Sequence, residues 1–131
     1  MENNPYKVLI VDDDKFLLNM YSIKFKRTGI DAVVALSASE ALSKLRGGFE
    51  PDALIIDIVM PGMDGFELLE RIRKENLSPK AAVIFLTNQG QNPDFGRAKS
   101  LGVKSYIVKA STVPSEVVAK VMEMVKELRE I

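Results

Sequence analysis

The sequence of 131 residues contains no cysteine, no histidine and no tryptophan. Without cysteine, the chain has no disulfide, no thiol nucleophile and no zinc site built from thiolates. Without histidine, it has no imidazole that acts as a general base or as a metal ligand. The two absences together exclude most hydrolase triads and most metalloprotease designs.

The chain also has no excess of charge of either sign and no long apolar run. Eighteen lysines and arginines balance eighteen aspartates and glutamates, so the sequence carries no basic footprint for a nucleic acid. The first residues are polar and unlike a signal peptide, and no apolar run approaches the roughly 18 residues that span a bilayer. We therefore expect a cytoplasmic protein that binds neither nucleic acid nor a membrane.

What the sequence does contain is five short apolar runs that alternate with segments of helical periodicity. With 47% hydrophobic and 27% charged residues, its composition fits one ordinary domain, residues 1–131, with no output domain. The alternation predicts an α/β fold with a single sheet of five parallel strands. Strands are predicted at 7–11, 31–36, 53–57, 82–86 and 105–109, and helices at 15–28, after Ser37, at 65–75, at 92–101 and from Pro114 onward.

Local patterns predict how some of these helices begin and which side they bury. Residues 37–40 read Ser-Ala-Ser-Glu, which is typical of a capping box at a helix start. Apolar residues at helical spacing predict the buried stripes of the first and fourth helices. These stripes are Leu17, Met20 and Tyr21 in the first helix, and Phe95, Ala98 and Leu101 in the fourth.

Polar side chains follow the apolar runs where the strands end. Asp57 closes the third run, whose lack of polar alternation indicates a strand covered on both faces. The carboxyl ends of parallel strands lie on one edge of the sheet, where open α/β folds bind their ligands. Taken singly, these residues have structural explanations, such as capping of the next helix. Their convergence instead predicts a functional site made of Asp12, Asp13, Asp57, Thr87 and Lys109.

The chemistry of this set favours a cation and a phosphoryl group. Two carboxylates about 5 Å apart repel each other by roughly 3 kcal/mol at an effective dielectric constant near 20, so the cluster needs a cation or must bind protons. Carboxylates, a backbone carbonyl and waters suit Mg²⁺. With Lys109 and Thr87 nearby, such a site suits a phosphoryl group received by a carboxylate oxygen. Asp57, on the central strand, is the best candidate for the nucleophile.

At this point the sequence resembles the receiver domain of bacterial two-component response regulators, including stand-alone, chemotaxis-regulator-like members. The resemblance covers residues 6–131 and implies a flavodoxin-like (βα)5 three-layer sandwich with strand order 2-1-3-4-5. The motifs that carry it are Val-Leu-Ile-Val-Asp-Asp-Asp at 8–14, Asp57 with Met-Pro-Gly-Met-Asp-Gly at 60–65, Leu86 with Thr87, and Gly102 with Tyr106 and Lys109.

The resemblance implies a role for each site residue. Asp57 would accept a phosphoryl group from a phosphohistidine on a sensor histidine kinase or a histidine phosphotransfer protein. Mg²⁺ would be held by Asp12, Asp13, Asp57 and the backbone carbonyl of Val59. Lys109 would pair with the phosphate, the Thr87 hydroxyl would move to bond it, and Tyr106 would turn inward in response. The surface of the fourth helix, fifth strand and fifth helix would then change its affinity for a downstream protein target.

The sequence departs from this family at three places. The family usually has a proline in a cis peptide after the lysine, but Ala110 follows Lys109 here. A non-proline cis bond costs about 2.5–4 kcal/mol, so we expect a trans or strained loop whose placement of Lys109 differs. Asn88 stands where the family usually has a small residue, and it could crowd phosphate access. Val59 and Gln89 flank the acceptor, and apolar Val59 predicts a phosphorylated state of long lifetime.

Two rival readings remain open from the sequence. Asp12 and Asp14 after a buried strand resemble the haloacid-dehalogenase phosphatase motif, but Phe16 stands where that family has threonine or valine, and no substrate cap is present. The other rival is an interaction module with the receiver fold that works without phosphorylation. On the main reading the chain is not an enzyme beyond its own phosphorylation and dephosphorylation, and it is a monomer or a weak phosphorylation-dependent dimer.

Overall fold

The computed structural model describes residues 6–88 and 90–129. Its strands and helices alternate along the chain as the sequence predicts. The strands are β1 (Lys7–Val11), β2 (Asp31–Ala35), β3 (Ala53–Asp57), β4 (Ala82–Thr87) and β5 (Val103–Val108). The helices are α1 (Lys15–Arg27), α2 (Ala38–Arg46), α3 (Gly65–Lys74), α4 (Phe95–Ser100) and α5 (Pro114–Arg129), with a 3₁₀ turn at Lys109–Ser111 between β5 and α5.

All neighbouring strands pair in parallel, and their order across the sheet is β2-β1-β3-β4-β5. The residues of β3 and β4 are buried on both faces, because helices cover both sides of the sheet. Leu54 and Ile56 of β3 pack with α2 and α3, whereas Ala53 and Ile55 pack with α1 and α5. The fold is therefore the flavodoxin-like three-layer α/β sandwich that the family resemblance implied.

The capping box predicted at Ser37 forms only in part. The Ser37 hydroxyl accepts from the Glu40 backbone N–H at 3.1 Å, but the Glu40 carboxylate accepts from the N–H of Leu36 at 2.9 Å. The Glu40 side chain therefore reaches one residue further back than the motif requires. A complete capping box instead begins α3, between Asp64 and Glu67.

The predicted stripe of α4 is wrong at Phe95. The helix begins only at Phe95, where Asp94 caps it, and the Phe95 side chain is 53% exposed. Its ring lies edge-on to Tyr106, with centroids 5.0 Å apart. Of the predicted stripe, Ala98 is buried and Leu101 is partly buried, because a helix of six residues presents less than two turns to the sheet.

The stripe of α1 and the start of β5 also differ from the prediction. The buried residues of α1 are Leu18, Tyr21 and Phe25, so only Tyr21 of the predicted stripe is fully buried. β5 begins at Val103, two residues earlier than predicted, because Val103 already pairs with Val83 of β4. In the described part of the chain, no helix combines the length and the apolar composition that crossing a membrane requires.

Candidate functional site

The carboxyl ends of the central strands bring three buried polar side chains together. Asp12 follows β1 and is 0% exposed, Asp57 ends β3 and is 2% exposed, and Thr87 ends β4 and is 5% exposed. Among the residues that the structure describes, these are the buried polar or charged side chains outside tyrosine. Burial of a carboxylate costs free energy unless it is paired, so this cluster calls for compensating charge.

Lys109 supplies part of that charge. Its Nζ lies 2.9 Å from Asp12 Oδ2 and 3.3 Å from Asp57 Oδ2, and its side chain is only 15% exposed. The residue lies in the 3₁₀ turn after β5, and no peptide bond of the described residues is cis. The bond after Lys109 is therefore trans, as expected without the proline, and the Lys109 ammonium group lies within ion-pair distance of both carboxylates.

The three consecutive aspartates after β1 have different surroundings. Asp14 caps α1, and its carboxylate accepts from the Leu17 backbone N–H at 3.1 Å. Asp12 Oδ1 accepts from the Asp14 backbone N–H at 2.9 Å, while Asp13 is exposed. The capping explanation thus applies to Asp14, and it leaves Asp12 and Asp13 for another role.

The cluster has the donor set of a divalent cation site. One oxygen from each of Asp12, Asp13 and Asp57 lies within 4.8 Å of the others. Mg²⁺ is held by a few carboxylate oxygens and keeps several waters, so these three carboxylates would form part of its coordination shell if it bound here. Asp57 Oδ1 is buried and has no hydrogen-bond partner, which is the kind of oxygen that a cation or a phosphoryl group would engage.

The electrostatics of the site raise the pKa of two of its groups. Burial, followed by the negative charge of Asp12, raises the pKa of Asp57 to about 6, although Lys109 and the backbone N–H of Val59 act in the opposite direction. Burial alone would lower the pKa of Lys109, but its hydrogen bond to Asp12 and the charges of Asp12 and Asp57 raise it overall. Lys109 therefore stays charged, and Asp57 is the carboxyl group that takes up a proton more readily than usual.

Stability without a divalent cation should therefore depend on Asp57 ionisation. The pKa of Asp57 is about 6 in the folded chain, against an ordinary value of 3.8. Between these two pH values the native chain therefore binds a proton that the unfolded chain lacks. This contribution, about 3 kcal/mol, is present below pH 4 and is lost as the pH rises through 6. Urea unfolding in EDTA from pH 4 to 7 should show that loss in wild type and not in Asp57→Asn. Parallel pH profiles would contradict it.

The close approach of α3 to the end of β3 depends on Gly65. A Cβ at this position would lie 2.6 Å from the backbone oxygen of Asp57 and 2.8 Å from Ile58 Cα. The backbone N–H of Gly65 donates to the Ile58 carbonyl at 2.8 Å, which holds the helix start against the strand end. Gly65 stands in the motif at 60–65, and its physical role is to allow this close backbone approach, which fixes the position of Asp57.

The remaining predicted residues surround this core. Tyr106 is partly buried, with its ring centroid 6.3 Å from that of Phe85. The side chain of Asn88 is exposed, and its backbone N–H donates to Gln91 Oε1 at 2.9 Å, so the loop after β4 is held locally. Val59 is 53% exposed at the rim. Gln89 lies outside the described residues.

Tyr21 is a neighbour of the site that sequence reasoning assigned only to the core. Its side chain is 1% exposed, and its hydroxyl has no hydrogen-bond partner. Burial raises the pKa of Tyr21, and the charges of Asp12 and Asp57 add to the effect. A tyrosine on an otherwise apolar stripe was the signal in the sequence, but it gave no indication that the ring would lie near the carboxylates.

Comparison with known proteins identifies the family. A model described as the response regulator receiver domain matches residues 8–122. The alkaline phosphatase synthesis transcriptional regulatory protein PhoP of Bacillus subtilis is 28% identical over 120 residues, which are 92% of this chain and 48% of that protein. The Regulator of RpoS of Escherichia coli K12 is 35% identical over 103 residues, which are 79% of this chain and 30% of that protein. The chain spans about half the length of the first of the curated relatives that it matches.

Solved structures give the same result over nearly the whole chain. A CheY-like receiver domain protein from Methanospirillum hungatei has a TM-score of 0.84 at 25% identity, covering 95% of this chain and 98% of that one. The chemotaxis protein CheY4 of Vibrio cholerae has a TM-score of 0.82 at 26% identity, covering 92% of this chain and 98% of that one. The chain therefore belongs to the response regulator receiver domain family of two-component signalling.

Proposed function

We propose that this receiver domain accepts a phosphoryl group on Asp57 from a phosphohistidine of a sensor histidine kinase or a histidine phosphotransfer protein. The observation that carries the proposal is the pair of Asp57 oxygens: Oδ2 faces Lys109 at 3.3 Å, and Oδ1 is buried without a partner. Oδ2 thus pairs with the Lys109 ammonium group, and Oδ1 is left to form the bond to phosphorus.

The transfer proceeds by attack of a carboxylate oxygen of Asp57 on the phosphorus atom of the donor. The bond between phosphorus and the imidazole nitrogen breaks, an acyl phosphate bond forms, and the leaving imidazole takes its proton from solvent. Lys109 stays charged because its pKa is raised. From its position between Asp12 and Asp57, its ammonium group can therefore pair with the oxygens of the transferred phosphoryl group.

Mg²⁺ fits the oxygens of Asp12, Asp13 and Asp57, with the backbone carbonyl of Val59 as a further proposed ligand. When bound, the ion neutralises the charge of these carboxylates and of the transferring phosphoryl oxygens. In our proposal the chain acts on no other substrate, so its chemistry is limited to its own phosphorylation and the loss of that phosphate.

Thr87 and Lys109 connect phosphorylation to the partner surface. Inverting a 1:99 equilibrium between two conformations needs about 5.5 kcal/mol of differential stabilisation. Charge-assisted hydrogen bonds from Thr87 and Lys109 to the phosphoryl group contribute about 1.5–3 kcal/mol each, which approaches this requirement. Movement of Thr87 would vacate space for Tyr106, which already packs against Phe85 and Phe95, and would alter the surface formed by α4, β5 and α5.

The downstream partner that we propose is a protein, and the site of action is the cytoplasm. The zero net charge of the chain argues against direct contact of this domain with a nucleic acid. The domain would act as a monomer or as a weak phosphorylation-dependent dimer. No observation on the described residues favours a phosphatase. With Asp12 as the nucleophile, a phosphatase would leave Asp57 without a role, although Asp57 lies in the same cluster.

The proposal is tested by intact mass after incubation with a small phosphodonor, with and without Mg²⁺. We expect one phosphoryl addition that requires Mg²⁺, because the ion offsets the repulsion between the carboxylates and the incoming group. If no addition occurs under any condition, the module that works without phosphorylation becomes the better reading. Turnover of a generic phosphomonoester would instead indicate the phosphatase.

Val59 is expected to prolong the phosphorylated state. Its exposed apolar side chain at the rim offers no hydrogen bond to orient an attacking water. Replacing it in Val59→Asn supplies a donor and an acceptor beside Asp57, so the acyl phosphate of the variant should hydrolyse about two- to tenfold faster, since one neutral hydrogen bond contributes about 0.5–1.5 kcal/mol. Decay of the mass-shifted species, measured in Mg²⁺, compares the two. Equal or slower decay in the variant would contradict the assignment.

A further inference from the structure

A cleft lies at the edge of the sheet opposite to the acidic site. It is formed where β4 and β5 begin, between the end of α3, the turn from α4 to β5 and the last turns of α5. Its volume is about 740 Å³, within the range of small-molecule sites. The lining residues are Arg73, Pro79, Lys80, Ala81, Ser100, Leu101, Gly102, Lys104 and Leu128.

The charged residues that the structure describes in this cleft are all cationic. They are Arg73, Lys80 and Lys104. The ion pairs of the described residues involve Arg46, Arg97 and Lys109, so none of the three cations of the cleft has a carboxylate partner there. A concave surface lined by one sign of charge concentrates ligands of the opposite sign.

Arg73 is the most constrained of the three cations. Its Nε donates to the Leu101 carbonyl at 2.9 Å, and burial lowers the pKa of its guanidinium with no carboxylate to offset the effect. Gly102 leaves the guanidinium uncovered, because a Cβ there would lie 2.9 Å from an Arg73 terminal nitrogen. A partly dehydrated, pre-oriented guanidinium is suited to bidentate contact with a phosphate.

The direction of the Lys104 side chain is set by a bulge in the pairing of β4 with β5. Val103 pairs with Val83 and Ser105 pairs with Ile84, so Lys104 is an extra residue between two paired positions. Such bulges re-aim a side chain, and this one lines the cleft and is exposed. Lys80, just before β4, is also exposed, and both lysines are therefore available to a ligand.

We propose that this cleft binds a ligand that carries a polyphosphate group, held by the Arg73 guanidinium and the ammonium groups of Lys80 and Lys104. The chemistry is shared by a free polyphosphate and by a nucleoside polyphosphate. In the second case the base would pack on the apolar part of the wall, which includes Leu101 and Leu128. The cleft shares no residue with the acidic site, so the ligand would make no contact with Asp57.

The test is calorimetric titration of the full chain with inorganic triphosphate and, separately, with ATP, both in EDTA. We expect both to bind, and we expect Lys80→Gln/Lys104→Gln to weaken binding by about 100-fold, since each lost charge-assisted contact is worth about tenfold or more. Lys26→Gln/Lys120→Gln, which removes two exposed lysines outside the cleft, should bind as wild type does. Amide shifts in ¹H–¹⁵N spectra should centre on residues 100–104.

The two ligands distinguish the sources of the phosphate. Tighter binding of ATP would indicate a nucleotide, and equal binding would indicate a free polyphosphate. Lack of binding by both probes, or equal affinity in wild type and Lys80→Gln/Lys104→Gln, would overturn the proposal. Both substituted lysines are exposed, so the variant should fold, and its phosphoryl addition at Asp57 should be unchanged as an independent check.

Discussion

Asp57→Asn is expected to abolish Mg²⁺-dependent phosphoryl addition. The amide nitrogen cannot attack phosphorus as a carboxylate oxygen does, and the variant removes the carboxylate whose Oδ1 is buried without a partner. The substitution is nearly isosteric and removes the repulsion between Asp57 and Asp12, so the fold should persist. Intact mass of the variant after phosphodonor treatment should show the unmodified chain alone.

A matched control separates loss of the acceptor from a general effect of charge removal. Asp31→Asn changes an exposed aspartate at the start of β2, at the other edge of the sheet, and should be phosphorylated as wild type is. Addition that persists in Asp57→Asn would mean that another aspartate is the acceptor. Asp12 and Asp13 would then be the groups to replace next, because they share the cluster with Asp57.

Gly65→Ala is expected to be strongly destabilising. The new Cβ would lie 2.6 Å and 2.8 Å from backbone atoms of Asp57 and Ile58, and backbone cannot rotate out of the way as a side chain can. Overpacking typically costs about 1–3 kcal/mol, and two backbone contacts place this site at the upper end. Thermal unfolding should therefore show a midpoint lowered by roughly 10 °C for a domain of this size.

The same substitution should slow phosphoryl addition, because relief of the contact moves the end of β3 that carries Asp57. Gly96→Ala is the control, since its Cβ would meet only the Asp94 carboxylate at 3.6 Å, within a helix. That change should stabilise the chain by about 0.5–1 kcal/mol through helix propensity. If Gly65→Ala and Gly96→Ala unfold at the same temperature, the close approach does not constrain the fold.

Much of the site could be predicted because its residues stand at the ends of strands that the sequence itself predicts. Buried runs that end in Asp12, Asp57 and Thr87 predict strands, and parallel strands must place their carboxyl ends on one edge. Lys109 was assigned to the same edge by the same argument, and the structure places it 2.9 Å from Asp12. Strand order, however, came from a family resemblance, because periodicity alone does not say which strands are neighbours.

Other features depend on contacts between distant segments, which local patterns do not encode. The exposure of Phe95 follows from where α4 begins, and the start of β5 follows from the pairing of Val103 with Val83 of β4. The position of the Tyr21 ring beside the carboxylates follows from the packing of α1 on the sheet.

The sequence by itself determined the fold class and the placement of the acids at strand ends, and it predicted a site of five residues there, because alternation and strand termini are properties of neighbouring residues. Only the tertiary structure decided the Asp57 pKa, the need for glycine at position 65 and the cationic cleft at the opposite edge. Each of these depends on distances between residues far apart in the chain. Burial and Coulomb interactions are set by those distances, and no local periodicity specifies them.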